Sequence, residues 1–121
     1  MKKELLRRIN NPAARKRLRK LLNNGFSLNE EHIEELVSGE LRSSYIQVFP
    51  TVNEKKILNN INIDIKNSEN LFLLVEGNPG LHWKATELVK VITEKSDAKI
   101  VWNFHPSDQT DRILKIITLS Y

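Results

Sequence analysis

Residues 71–80, Leu71-Phe-Leu-Leu-Val-Glu-Gly-Asn-Pro-Gly80, decide the fold. Five consecutive apolar residues end at Glu76, and a Gly-Asn-Pro-Gly turn follows. A short apolar run bounded by turn residues predicts a buried strand. Beyond the turn, Ala85, Leu88, Val89 and Ile92 recur at helical spacing, predicting a helix over 84–95 with Trp83 near its start. Two more strand-like runs follow at 99–104 and 112–121. Residues 112–121 are apolar on both faces (Ile113, Ile117, Leu119 against Leu114, Ile116), which predicts a strand covered on both sides at least in part.

Working back toward the N-terminus, 43–49 reads as a strand closed by Pro50, since proline cannot donate to a ladder. Ser27 with Glu30, and Thr51 with Glu54, have capping-box spacing. The first pair predicts a helix through Ile33, Leu36 and Val37, the second a short helix carrying Ile57 and Leu58. Residues 59–70, with Ile61, Ile63 and Ile65 alternating, read as an extended connection or a short edge strand.

Charge divides the chain unevenly. Residues 1–25 hold nine lysines and arginines against Glu4 alone, a net +8; the other 96 residues carry −4. Two short helices are expected in this basic arm, over 2–10 and from Pro12, with Asn11 as N-cap and Asn23-Asn24-Gly25 as stop. Arg15, Lys16, Arg17, Arg19 and Lys20 surround a stripe of Ala14, Leu18, Leu21 and Leu22. The arrangement admits two readings. Either the cations form a face for nucleic acid or anionic lipid, or they solvate a helix packed on the body by its leucines.

Composition excludes several classes. At 40% hydrophobic and 28% charged the sequence is ordinary for a globular domain. No apolar run approaches the roughly 20 residues of a membrane span, and Arg7-Arg8 interrupts any secretory signal. Without cysteine there is no disulfide, thiolate metal site or thiol catalysis, and a cytoplasmic location is expected. Gly77-Asn-Pro-Gly80 has neither GxxxxGK nor GxGxxG spacing and reads as a tight turn, not a phosphate cradle. His32, His82 and His105 lack ligand spacing. Asp108 and Asp111 bracket a turn, and Trp83 and Trp102 read as core or interface anchors. No catalytic residue, metal or cofactor is expected.

From residue 26 onward the sequence resembles the C-terminal domain of the tubulin-like division GTPase family of FtsZ. The residues that carry the resemblance are Leu71-Phe-Leu-Leu-Val-Glu-Gly77, Ala98-Lys-Ile-Val-Trp-Asn103 and Asp111-Arg-Ile-Leu-Lys-Ile-Ile-Thr118, with Ile33-Glu-Glu-Leu-Val37 and Ser44-Tyr-Ile-Gln-Val48 upstream. The family's nucleotide-binding half, with its glycine-rich loop, has no counterpart here. Where the family's hydrolysis-completing loop reads Asn-x-Asp-x-x-Asp, this chain has Ser27, Asn29 and His32, so both acids are missing. Order and resemblance together imply an α+β fold. The expected form is a two-layer sandwich of a mixed four-stranded sheet (β-α-β-α-β-β) with helices on one face, preceded by N-terminal helices, and divided into a 1–25 arm and a 26–121 domain.

The function this implies is non-catalytic association with a filament-forming, tubulin-like partner or with a second copy. Arg15, Lys16, Arg17, Arg19 and Lys20 on the arm, and Ser107, Asp108 and Asp111 in a loop, are the expected contacts. A second class is a small nucleic-acid-binding protein in which residues 12–38 form a helix-turn-helix-like pair and Arg15, Arg17 and Arg19 touch phosphates. The acidic second helix (Glu30, Glu31, Glu34, Glu35) argues against base readout. A third class, an enzyme resembling trimeric chorismate mutase in element order, rests on fold analogy alone.

Overall fold

The decisive strand is one of the two inner members of a four-stranded sheet. The computed structural model describes residues 2–107 and 112–121. Among these are five α-helices and four strands: α1 (Lys2–Arg8), α2 (Pro12–Asn23), α3 (Glu30–Ser38), β1 (Arg42–Val48), α4 (Glu54–Asn60), β2 (Asn70–Gly77), α5 (His82–Lys95), β3 (Lys99–Pro106) and β4 (Leu114–Ser120). The sheet order is β1-β4-β2-β3. β2 pairs parallel with β3 (Leu73 opposite Trp102) and antiparallel with β4 (Leu73 opposite Thr118). β4 pairs antiparallel with β1 (Ser44 opposite Thr118). Three strands therefore point one way and β4 the other, in the mixed β-α-β-α-β-β order expected.

Both parallel crossovers, β1-α4-β2 and β2-α5-β3, advance in the same direction across the sheet. With a common hand they place α4 and α5 on one face. There Ile57, Leu58, Ala85, Leu88 and Ile92 bury Leu71, Leu73, Val75, Leu114 and Ile116. The opposite face is also covered, by the helices that precede the sheet. Leu5, Ile9, Ala14, Leu18, Leu21, Ile33 and Leu36, from α1, α2, α3 and the turn after α1, cover Phe72, Leu74, Ile117 and Leu119. The physical reason lies in β2 itself: successive side chains alternate faces, so an uninterrupted apolar run needs cover on both. The result is three layers, with the 1–25 segment seated in one of its two cores.

Local chemistry sets the helix starts. Asn11 caps α2 as expected, its carboxamide oxygen accepting from the Ala14 N–H at 3.0 Å. The capping boxes of Ser27 and Thr51 do not form. Asn29 and Asn53 take those positions, accepting from the N–H of Glu31 and Lys55 at 2.8 Å each. Asparagine caps as well as serine or threonine, and these two stand directly before the first helical residue. Of residues 59–70, the first two close α4, 61–69 form the connection, and the strand begins only at Asn70. Ile61 is buried, Ile63 and Ile65 pack on the α4–α5 core, and Ser96 Oγ holds the Ile65 carbonyl at 2.8 Å.

Among the described residues three buried hydroxyls, those of Ser107, Thr118 and Ser120, lack a hydrogen-bond partner. Thr118, on the α4–α5 face of β4, is 1% exposed and its hydroxyl lacks a hydrogen-bond partner. Desolvating an unpaired hydroxyl costs about 1–3 kcal/mol. Thr118→Val keeps the shape and removes that cost, so denaturant unfolding is expected to show stability raised by about 1 kcal/mol. A loss of stability would show that the hydroxyl is satisfied.

Candidate interaction surface

The five α2 cations do not act alike. Arg15 donates from Nε (3.0 Å) and Nη2 (2.6 Å) to the Ile9 carbonyl, satisfying an acceptor just beyond the end of α1. Arg17 grips Glu76 with both ends of its fork: Nε donates to Oε1 at 2.7 Å and Nη2 to Oε2. Glu76 is 5% exposed at the end of β2, where an unpaired carboxylate would be costly. Only Lys16, Arg19 and Lys20 are exposed. The reading of Arg15 and Arg17 as phosphate contacts is thereby corrected, because both guanidiniums are engaged within the fold. The signal was absent from local sequence: Arg17 and Glu76 are 59 residues apart.

The helix-turn-helix reading loses its second helix as well. α3 buries Ile33 and Leu36 against the sheet and turns Glu30, Glu31 and Glu34 to solvent. Asn29 and His32 lie at its start, with Asn29 used as the cap.

The parallel strands end together at one pole of the molecule. Ser107 lies there; its N–H donates to the Gly77 carbonyl at 2.7 Å, extending the β2–β3 ladder, and its hydroxyl is buried without a partner. Asp108 and Asp111 lie outside the described residues. The same pole carries Phe49, just past β1, and Trp83, at the start of α5. These are 61% and 57% exposed, the two large apolar side chains most open to solvent among the described residues. Sequence reading offered Trp83 as core or interface anchor, and burial rules out the core. Between β1 and α5 is a depression of about 290 Å³ lined by Pro50, Asn78, Gly80, Leu81 and Arg112.

Close by, Lys84 (5% exposed) donates to Glu54 Oε1 at 2.6 Å. That hydrogen bond, with one from the backbone at Glu54 itself, holds the Glu54 carboxyl below its ordinary value of 4.5. A depressed folded-state pKa contributes stability that is fully present above the unfolded value and is lost as pH falls through the folded one. Thermal melts are therefore expected to show this contribution intact above pH 4.5 and fading below it. Glu54→Gln should lower stability at neutral pH and flatten that acid limb. An unchanged limb in the variant would remove Glu54 as its source.

Two of the three histidines sit in aromatic contacts. The His82 ring lies 5.2 Å from Phe104 and 5.8 Å from Trp102, and His105 lies 5.5 Å from Phe26. Among the described residues there is no group of three or more histidine, aspartate or glutamate side chains placed to hold a metal ion, and no helix is long and apolar enough to cross a membrane.

No protein-family profile and no curated protein sequence matches the chain. The three-dimensional arrangement does match. A point mutant of FtsZ from M. jannaschii superposes with a TM-score of 0.60 at 12% identity, over 79% of this chain and 32% of that one. The fold is FtsZ-like. CetZ2 from Haloferax volcanii, solved as a GTPγS-bound protofilament, gives 0.58 at 15% identity over 89% of this chain and 37% of its own. The chain thus spans about a third of the length of these proteins. An FtsZ-like fold is what the resemblance in residues 71–77, 98–103 and 111–118 implies.

Proposed function

We propose that this chain is a non-catalytic association module of FtsZ-like build, acting in the cytoplasm and binding a filament-forming tubulin-like protein or a second copy of itself. The observation that carries the reading is the likeness to a part of CetZ2, a protein solved in a protofilament. The pole bearing Phe49 and Trp83 supports it. Solvated aromatics beside an apolar depression are the kind of anchors that dominate protein interfaces. The chemistry-bearing positions point the same way: Asn29 is spent on a helix cap, and His82 and His105 on aromatic packing.

The test is sedimentation of filaments of an FtsZ-type GTPase with and without the purified chain. A changed pelleted fraction is expected, and it should return toward the control with the variant Phe49→Ala/Trp83→Ala. Both side chains are largely solvated, so the variant should keep wild-type stability within about 0.5 kcal/mol. Unchanged sedimentation at excess chain, together with a monomeric mass at high concentration, would refute both forms of the proposal.

A further inference from the structure

We infer that the outer edge of β1 and the basic side of α2 together form a docking groove for an extended, acidic peptide segment. Strand β1 lies at the border of the sheet, paired with β4 on one side and, among the described residues, with no strand on the other. Such a border exposes backbone donors and acceptors that can template an added strand. Natural edges are commonly blunted by lysine, proline or a bulge on the strand itself. β1 reads Arg42-Ser-Ser-Tyr-Ile-Gln-Val48 and pairs with β4 in unbroken register along all seven residues. Apart from Arg42 at its first residue, the cations stand beside the strand, on α2.

Between the two elements runs a groove of about 230 Å³ lined by Ala13, Lys16, Arg17, Lys20, Tyr45 and Gln47. Arg17 is bound to Glu76, which leaves the exposed ammonium groups of Lys16 and Lys20 as the cations that can meet a ligand. The Tyr45 oxygen accepts from Gln47 Nε2 at 2.9 Å, so its own proton can be given to a further acceptor. α2 contains no acidic residue to compete for these donors. A strand added to β1 would alternate its side chains between the two faces of the sheet. Those on the α2 face would meet Lys16, Lys20 and Tyr45, and carboxylates suit that position.

Charge selects among occupants. A second copy paired through β1 would bring two sets of α2 cations together, and like charges across an interface disfavour that pairing. A nucleic acid would find few phosphate partners in the groove and no exposed stacking platform, since Tyr45 is half-buried in the core. An acidic strand uses both the backbone edge and the lysines.

The experiment measures fluorescence anisotropy of a labelled peptide of alternating glutamate and valine. Its controls are the same peptide N-methylated at alternate amides, a lysine–valine counterpart, and a short single-stranded oligonucleotide. The glutamate–valine peptide is expected to bind, with amide NMR shifts confined to β1 and α2. Binding should weaken about tenfold or more in Lys16→Glu/Lys20→Glu. It should be lost on N-methylation, a comparison made on the unaltered protein and so independent of the variant's folding. No binding, equal binding of the N-methylated peptide or the oligonucleotide, or shifts on β3 would each overturn the inference.

Discussion

Deleting residues 1–25 is expected to unfold the protein and not to release a stable body. Leu5, Ile9, Leu18 and Leu21 are at most 3% exposed, and together with Ala14 they cover Phe72, Leu74, Ile117 and Leu119. Burial of a large aliphatic side chain is worth about 2 kcal/mol, so the four together rival the entire net stability of a small domain, roughly 5–15 kcal/mol. The truncated chain should lose cooperative thermal unfolding and bind a hydrophobic dye through its uncovered sheet face. Leu18→Ala is the graded version. A fully buried leucine removed from such a site costs about 2–5 kcal/mol, read as a shift in urea midpoint. If residues 26–121 melted cooperatively near the full-length temperature, the basic segment would be an appendage after all.

The second large effect concerns Arg17 and Glu76. Removing one partner of a buried ion pair strands the other, at a cost of about 3–5 kcal/mol. Arg17→Met and Glu76→Leu should each destabilise by that amount. The double variant should recover much of it, because apolar residues of similar size replace a buried pair at little cost. Lys115 lies opposite Glu76 in the β2–β4 register and remains charged in Glu76→Leu. That variant is therefore expected to be the worse of the two. Additive losses in a double-mutant cycle would mean that the two side chains do not depend on each other.

These expectations mark how far the sequence could be read. β2 was legible because its apolar run is unbroken, and β3, β4 and α5 followed from period and turn residues. The placement of β4 between β1 and β2 was not, since strand order depends on pairings between segments distant along the chain. The second covered face was latent in the same apolar run, and the α2 leucine stripe offered a cover, but which helices lie on which face depends on contacts distant along the chain. Capping went astray at Ser27 and Thr51 because asparagines two residues later compete with equal strength. The division of α2 into spent and available cations was illegible for a different reason. Arg15 and Arg17 look like Lys16 and Lys20 in sequence, and only the tertiary positions of the Ile9 carbonyl and Glu76 distinguish them. Trp83 reads in sequence as a core or interface anchor, and Phe49 escapes notice because it directly follows the buried Val48; exposure alone decides for both.

The central claim is that the cationic N-terminal helices and the sheet form one cooperative structure. Native-state hydrogen exchange tests it most directly. Amides of Leu18 and Leu21 in α2 should exchange only through the same global opening as Leu74 in β2 and Ile117 in β4, with the same free energy and denaturant dependence. Exchange of the α2 amides through a separate opening of low free energy, while β2 and β4 stay protected, would contradict it.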